Sequence, residues 1–309
     1  MEQSNQQQEV DDQTSGFQPV YRIELLFHER PVISESSLQE AMTRYSGGVP
    51  LPAHMLEAFR KAFKERQPEG LGEELPLIYV HTRYTAKMKD ADIPVQTLIT
   101  GPVEVKEPER WEKSLQQAWH WPEARSTVSK VKYSVTLQDM FGAGLPYSER
   151  LELMQSALRA LLDVLPCEAV YWYTSDKLVQ PQAYLEALKQ EDILYGAMNV
   201  RMYQVDRGAG ENDIIMDTLG LSAVGIPDIQ CHFNGLDPDK VAESVYGAAY
   251  YVFHNGDIIE NGQSIGSAGG QQWRCEHQHA LAKPQRFVLD LDPGAPHNAG
   301  RGPAGGSEQ

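Results

Sequence analysis

Cysteine is scarce in these 309 residues: Cys167, Cys231 and Cys275 stand far apart and are odd in number. That usage speaks against a disulfide framework and fits reduced thiols in a cytoplasm. Long apolar runs are missing as well, none approaching the roughly 20 residues that a membrane-spanning helix needs. The opening stretch MEQSNQQQEVDDQTSG has neither a basic nor an apolar segment, so no secretory signal is read there. Cations are in deficit, with 27 Lys and Arg against 43 Asp and Glu, a formal net charge of -16. Without any basic run, this balance argues against a nucleic-acid surface, whose phosphates demand clustered cations. It also disfavours docking on anionic membranes and favours a basic protein partner.

Familiar catalytic signatures are absent too. There is no GxSxG elbow for a serine nucleophile, and no cysteine sits in a recognisable catalytic setting. DRGAGEND holds a lone GxG, but Asp206, Glu211 and Asp213 would repel a phosphate, so a hairpin loop is the better reading. GSAGGQQW lacks the phosphate-binding lysine and reads as a turn. No cofactor is implied.

What is present is ordinary globular sequence, 41% apolar and 23% charged. Residues 1–18 are polar and acidic, and 293–309 are rich in Gly and Pro; both are expected to be unstructured. Between them, 19–140 and 141–292 read as two α+β halves. Alternating apolar residues make YRIELLF, PLIYVHTRY, PVQTLITG and VKYSVTL strands, with helices expected at 36–45, 55–65 and from Pro108. SERLELMQSALRALLDVLP is the clearest helix: Leu151, Met154, Leu158, Leu161, Leu162 and Leu165 form one stripe, Ser148 can cap it and Pro166 ends it. AVYWYT, a hairpin across DRGAGEND, PDIQCHF and a final meander supply further strands. Asp237-Pro238 opens the last helix, with Val241, Val245, Ala248, Ala249, Val252 and Phe253 on its buried face. The fold class is therefore α+β, with mixed or antiparallel sheets and helices on one face. The echo of the order from Tyr21 in that from Val131 suggests two related ferredoxin-like halves.

Two constellations carry chemistry. On a strand, Asp228, Gln230 and His232 alternate onto one face while Ile229, Cys231 and Phe233 take the other. The polar row could line a groove or do acid–base work with Asp217 and Glu243, whereas a solvated sheet face is the plainer use. The second is CEHQH, where Cys275, His277 and His279 would share a face and offer zinc-type ligands. Strand spacing holds them roughly 7 Å apart, awkward for one ion, so a mixed polar strand end is again the plainer use.

The stretch DTLGLSAVGIPDIQCHFNGLDPDKVAESVYGAAYYVFHNGDIIENGQSIG resembles the signature region of a bacterial family known as domain of unknown function 4261 (DUF4261), in which a similar D-x-LGL-x-x-x-G-x-PD-x-Q-x-HF run precedes a helix and a Gly-rich turn. The resemblance implies a soluble α+β module without an assigned catalytic residue. Its matching positions are Asp217, Gly220, Gly225, Pro227, Asp228, Gln230, His232 and Gly262. Gly247 departs from the pattern, where a larger side chain is usual, and suggests close packing. The expectation is a cytoplasmic interaction module of the immunity or secretion-accessory kind. The alternatives are an enzyme using Asp228 and His232, and a metal protein using Cys275, His277 and His279.

Overall fold

The structure is a computed structural model that describes residues 16–66, 76–87, 91–206 and 212–299. These form an α+β fold in two compact units, dividing between Ala197 and Met198; Phe17 belongs with the second. Each unit holds one sheet.

The first unit contains β1 (Arg22–Phe27), α1 (Glu35–Ser46), β2 (Val49–Pro50), α2 (Ala53–Arg66), β3 (Leu77–Lys87), β4 (Asp92–Glu104), α3 (Glu112–Gln116), α4 (Ala124–Val128), β5 (Tyr133–Met140), α5 (Tyr147–Val164), β6 (Ala169–Trp172), β7 (Lys177–Val179) and α6 (Pro181–Lys189). Its strands pair throughout in antiparallel fashion, in the order β2-β3-β4-β5-β1-β6-β7. β1 lies between β5 and β6, which explains its nearly unbroken burial.

Helices cover both faces of this sheet, where the sequence suggested one. Val95 and Leu98 are three residues apart on β4 and so point to opposite faces. Val95 packs with Leu145 and with Leu153 of α5, while Leu98 packs with Ile78 and with Leu56 and Phe59 of α2. α1 lies against α5. A further cluster joins Leu26 to Trp111, Trp121 and Val128 of the α3–α4 region. The helix expected from Pro108 is instead a 3₁₀ turn and two short helices, which buries Trp121 and leaves Trp119 67% exposed. Ser148 lies inside α5, and Pro146 takes the cap position.

The second unit contains β8 (Asn199–Asp206), β9 (Asn212–Leu219), β10 (Asp228–Phe233), α7 (Pro238–Asn255), β11 (Ser264–Gly266), β12 (Gln272–His279) and β13 (Phe287–Asp292). Their order is β11-β12-β13-β10-β9-β8, antiparallel except for the parallel pair β10 and β13. α7 packs on β8, β9 and β10 through the apolar stripe read from the sequence. Asp237 caps it, its Oδ1 accepting from the Asp239 N–H at 3.1 Å.

Two expectations differ from this architecture. The boundary falls at 197/198 instead of 140/141, because β6 pairs with β1 and so ties α5 to the first sheet. The strand orders of the two sheets also differ, so one ferredoxin-like half is not repeated. Of the segments expected to lack structure, 1–15 and 300–309 lie outside the described residues. Residues 293–299 do not fit that expectation, since Asn298 bridges Phe233 and the Ala299 N–H donates to His232 O at 3.2 Å.

Gly247 does not mark close packing: a Cβ there would meet nothing within 4 Å. Replacing an exposed helical glycine by alanine removes backbone freedom from the unfolded chain. Gly247→Ala is thus expected to stabilise the protein by about 0.5–1 kcal/mol, read as a higher urea midpoint at unchanged m-value.

Two histidines of the first unit make its stability pH-dependent. Burial lowers His81 from 6.5 to about 4, a bond to the Ser46 backbone opposing. Burial, with the nearby Lys177 charge adding, lowers His120 to about 4 as well, against its bond to Leu178 O. Both stay neutral in the folded chain while the unfolded chain takes up protons near 6.5. Their contribution is therefore complete above about pH 6.5 and is lost as the pH falls toward 4. Urea midpoints measured across that window should fall with pH, and the H81N/H120N double variant should show a shallower slope.

Candidate functional site

The polar row of β10 faces neither an open groove nor water. Register places Arg201 of β8 opposite Asp217 of β9, Asp217 opposite Gln230 of β10, and Gln230 opposite Asp290 of β13. Sheet alternation then gathers Asp228, Gln230, Asp217, Asp290 and Arg201 on one face, and all are buried.

Arg286, just before β13, closes this face. Its Nε donates to Asp228 Oδ2 at 3.0 Å, and Nη2 donates to Asp217 Oδ2 and to Thr218 O, each at 2.7 Å. Nη1 donates to Ala282 O at 3.1 Å and Pro284 O at 2.8 Å, so five acceptors meet the five N–H groups of a guanidinium. Arg201 grips Asp217 in bidentate fashion, Nε to Oδ1 at 2.9 Å and Nη2 to Oδ2 at 2.6 Å. Burial opposes the charge on Arg201, but the adjacent Asp217 carboxylate outweighs it and Tyr203 and Asp228 add, so its pKa is raised.

Asp228 accepts further bonds from Thr218 Oγ1 at 3.0 Å, Leu221 N at 3.1 Å, and Ser222 N and Oγ at 3.3 and 2.7 Å. Gln230 donates to Asp290 Oδ1 at 2.9 Å and accepts from Leu281 N at 2.8 Å. Arg201 Nη1 also reaches Lys283 O at 3.1 Å. Residues 281–286 are thereby strapped across the polar face. Gly16 passes over Arg286 so closely that a Cβ would come within 2.7 Å of Arg286 Cβ and 2.8 Å of Ser222 Oγ, at a φ of +85°. Only glycine fits there without displacement.

Of the sequence-nominated residues, Asp217, Asp228 and Gln230 are brought together. His232 meets Asp213 instead, Nε2 to Oδ2 at 3.4 Å. Glu243 lies on the outer side of α7, 62% exposed and paired with Lys240 at 2.9 Å, so it is no part of this cluster. An acid–base site built from Asp228, His232 and Glu243 does not converge. The zinc-type set disperses too. Cys275 is buried, and burial raises its thiol pKa; His279 stacks on Phe287 at 4.7 Å. Among the described residues no three His, Cys, Asp or Glu side chains converge as metal ligands.

Residues 217–292 match the model of domain of unknown function DUF4261. No curated protein and no solved structure matches the chain. The DUF4261 segment starts on Asp217 and contains Asp228, Gln230, Arg286 and Asp290, whereas Arg201 precedes it. Most of the buried network is therefore internal to the matched segment. No helix among the described residues is long and apolar enough to cross a membrane.

A second cluster went unseen in the sequence. The His277 N–H donates to Asn261 Oδ1 at 2.7 Å, which fixes that oxygen as an acceptor; His277 Nδ1 lies 2.9 Å from it and therefore donates as well. Nε2 is turned to Asp257 Oδ1 at 2.9 Å. Asp257 and His277 border a cleft of about 450 Å³ whose other walls are Phe17, Gly225, Ile226, Pro227 and Phe287. Strand alternation relates His277 only to its strand neighbours, whereas Asp257 and Asn261 reach it through the turn after α7.

Removing one partner of a buried ion pair leaves a charge without compensation. Arg286→Met is expected to cost about 3–5 kcal/mol. Glu243→Gln, on the solvated side of α7, should change stability by no more than about 0.5 kcal/mol. Urea unfolding of the two variants checks the contrast.

Proposed function

We propose that the chain is a non-catalytic protein-interaction module of a bacterial cytoplasm, of the immunity or secretion-accessory kind, with a basic protein as its partner. The closed network is the observation that carries this reading. A general base needs a carboxylate or imidazole within reach of a substrate proton. Asp217 and Asp228 instead have their oxygens occupied by guanidinium, hydroxyl and amide donors, under a covering strap.

Charge points the same way. The network sets three carboxylates, Asp217, Asp228 and Asp290, against two guanidiniums, so almost all of the formal net charge of -16 is carried by the rest of the chain. An acidic protein of this kind attracts a cationic partner over distance and repels acidic competitors. The test is affinity capture from the source cell with the tagged full chain at moderate salt. The expected result is one basic protein in stoichiometric complex, released as the ionic strength rises. Recovery of no specific partner, or of one whose binding ignores salt, overturns the reading.

A further inference from the structure

We propose that the cleft beside His277 binds a small amphipathic amine, its ammonium at Asp257 and its apolar body between Phe17, Pro227 and Phe287. At about 450 Å³ the cleft has the capacity of a small-ligand site. Its lining has the composition of one: Phe17, Ile226, Pro227 and Phe287 supply apolar walls, and the polar groups Asp257 and His277 lie together. Phe287 remains 42% exposed although it opens a central strand, and its ring is held in a stack with His279 at an interplanar angle of 26°. The wall is thus formed before any ligand arrives.

The sign of the ligand follows from Asp257. This carboxylate sits two residues beyond Asn255, the last residue of the 18-residue helix α7, at the negative end of the helix dipole. A carboxylate there opposes the helix dipole, so it is not explained as a helix-stabilising charge. The dipole and the carboxylate both favour a cation. His277 engages only Oδ1; among the described residues Oδ2 has no hydrogen bond and can take an ammonium N–H. Asn261 fixes the ring orientation through Nδ1; Nε2 then bonds the carboxylate only when the ring carries both protons, and a neutral ring leaves Oδ1 as well as Oδ2 without a donor. A rigid acceptor beside an apolar wall selects a donor cation attached to an aromatic or aliphatic group of modest size.

The experiment titrates the full-length ¹⁵N-labelled chain with 2-phenylethylamine, with 2-phenylethanol as a neutral probe of equal bulk and with phenylacetate as an anionic probe one atom larger. The amine should shift the amides of Gly225, Asp257 and Phe287. It should bind at least about tenfold more tightly than the alcohol, the difference between a charge-assisted and a neutral hydrogen bond, and the carboxylate should not bind. Asp257→Asn, which keeps an acceptor oxygen for His277, should bring the amine down to the alcohol's affinity. Phe287→Ala should weaken both. Equal affinity of amine and alcohol for the unmodified chain overturns the proposal, as does the absence of shifts at those three amides with the amine at millimolar concentration. Because the unmodified chain alone discriminates the probes, poor folding of either variant does not shield the proposal.

Discussion

Arg286 holds its guanidinium between Asp217 and Asp228, and the arrangement of the second unit depends on that placement. Three strands and a loop converge on charges that would each be strongly unfavourable alone in a water-poor setting. The planar fork of arginine allows the convergence. It bonds two carboxylates and three backbone carbonyls at once, which an ammonium on a flexible stem cannot match. Because two of those carbonyls belong to Ala282 and Pro284, the same side chain that neutralises the sheet face also draws its cover over it. The parallel pairing of β10 with β13 is part of this geometry, since β13 follows directly from the strap.

A parallel solution appears in the first unit. Arg150 of α5, fully buried, bonds Asp139 of β5 with Nε at 2.6 Å and also donates to Gln18 O and Pro19 O at 2.8 and 3.2 Å. There too a guanidinium neutralises a sheet-face carboxylate and fastens an irregular segment. Both units thus hold buried aspartates against a guanidinium, Asp217 and Asp228 in one and Asp139 in the other. The acidity of the chain is left to groups outside these pairs.

How far the sequence could be read depended on whether a feature is local. Strands β1, β3, β4, β5 and β10 and helices α1, α2, α5 and α7 follow from periodicity, and the Asp237 cap follows from residue type. Pro108 misled, because the Trp111-Leu115-Ala118-Trp119 spacing fits a helix while packing of Trp111 and Trp121 into one cluster requires a break. Within the candidate site, alternation placed Asp228, Gln230 and His232 on one face. It could not show that Arg201 and Arg286 lie against that face. The clue was an arginine inside the apolar run NVRMYQV and another at the mouth of RFVLDLD, both in a chain short of cations. The DUF4261 resemblance singled out Asp217, Asp228 and Gln230, which the fold unites, without stating what they do.

By itself the sequence determined the α+β class, the polarity of each strand face, the buried stripe of α7 and the excess of negative charge. These are set by neighbours two to four residues apart and by composition, so no tertiary contact is needed to read them. The tertiary structure alone decided which strands pair, where the units divide, that the aspartate row is closed by arginine, and that Asp257 meets His277 beside a cleft. Those contacts join groups as distant as Asp217 and Arg286, 69 positions apart. A charge on a strand looks the same in sequence whether it faces water or a guanidinium; only the chain's path through space supplies the partner that makes its burial tolerable.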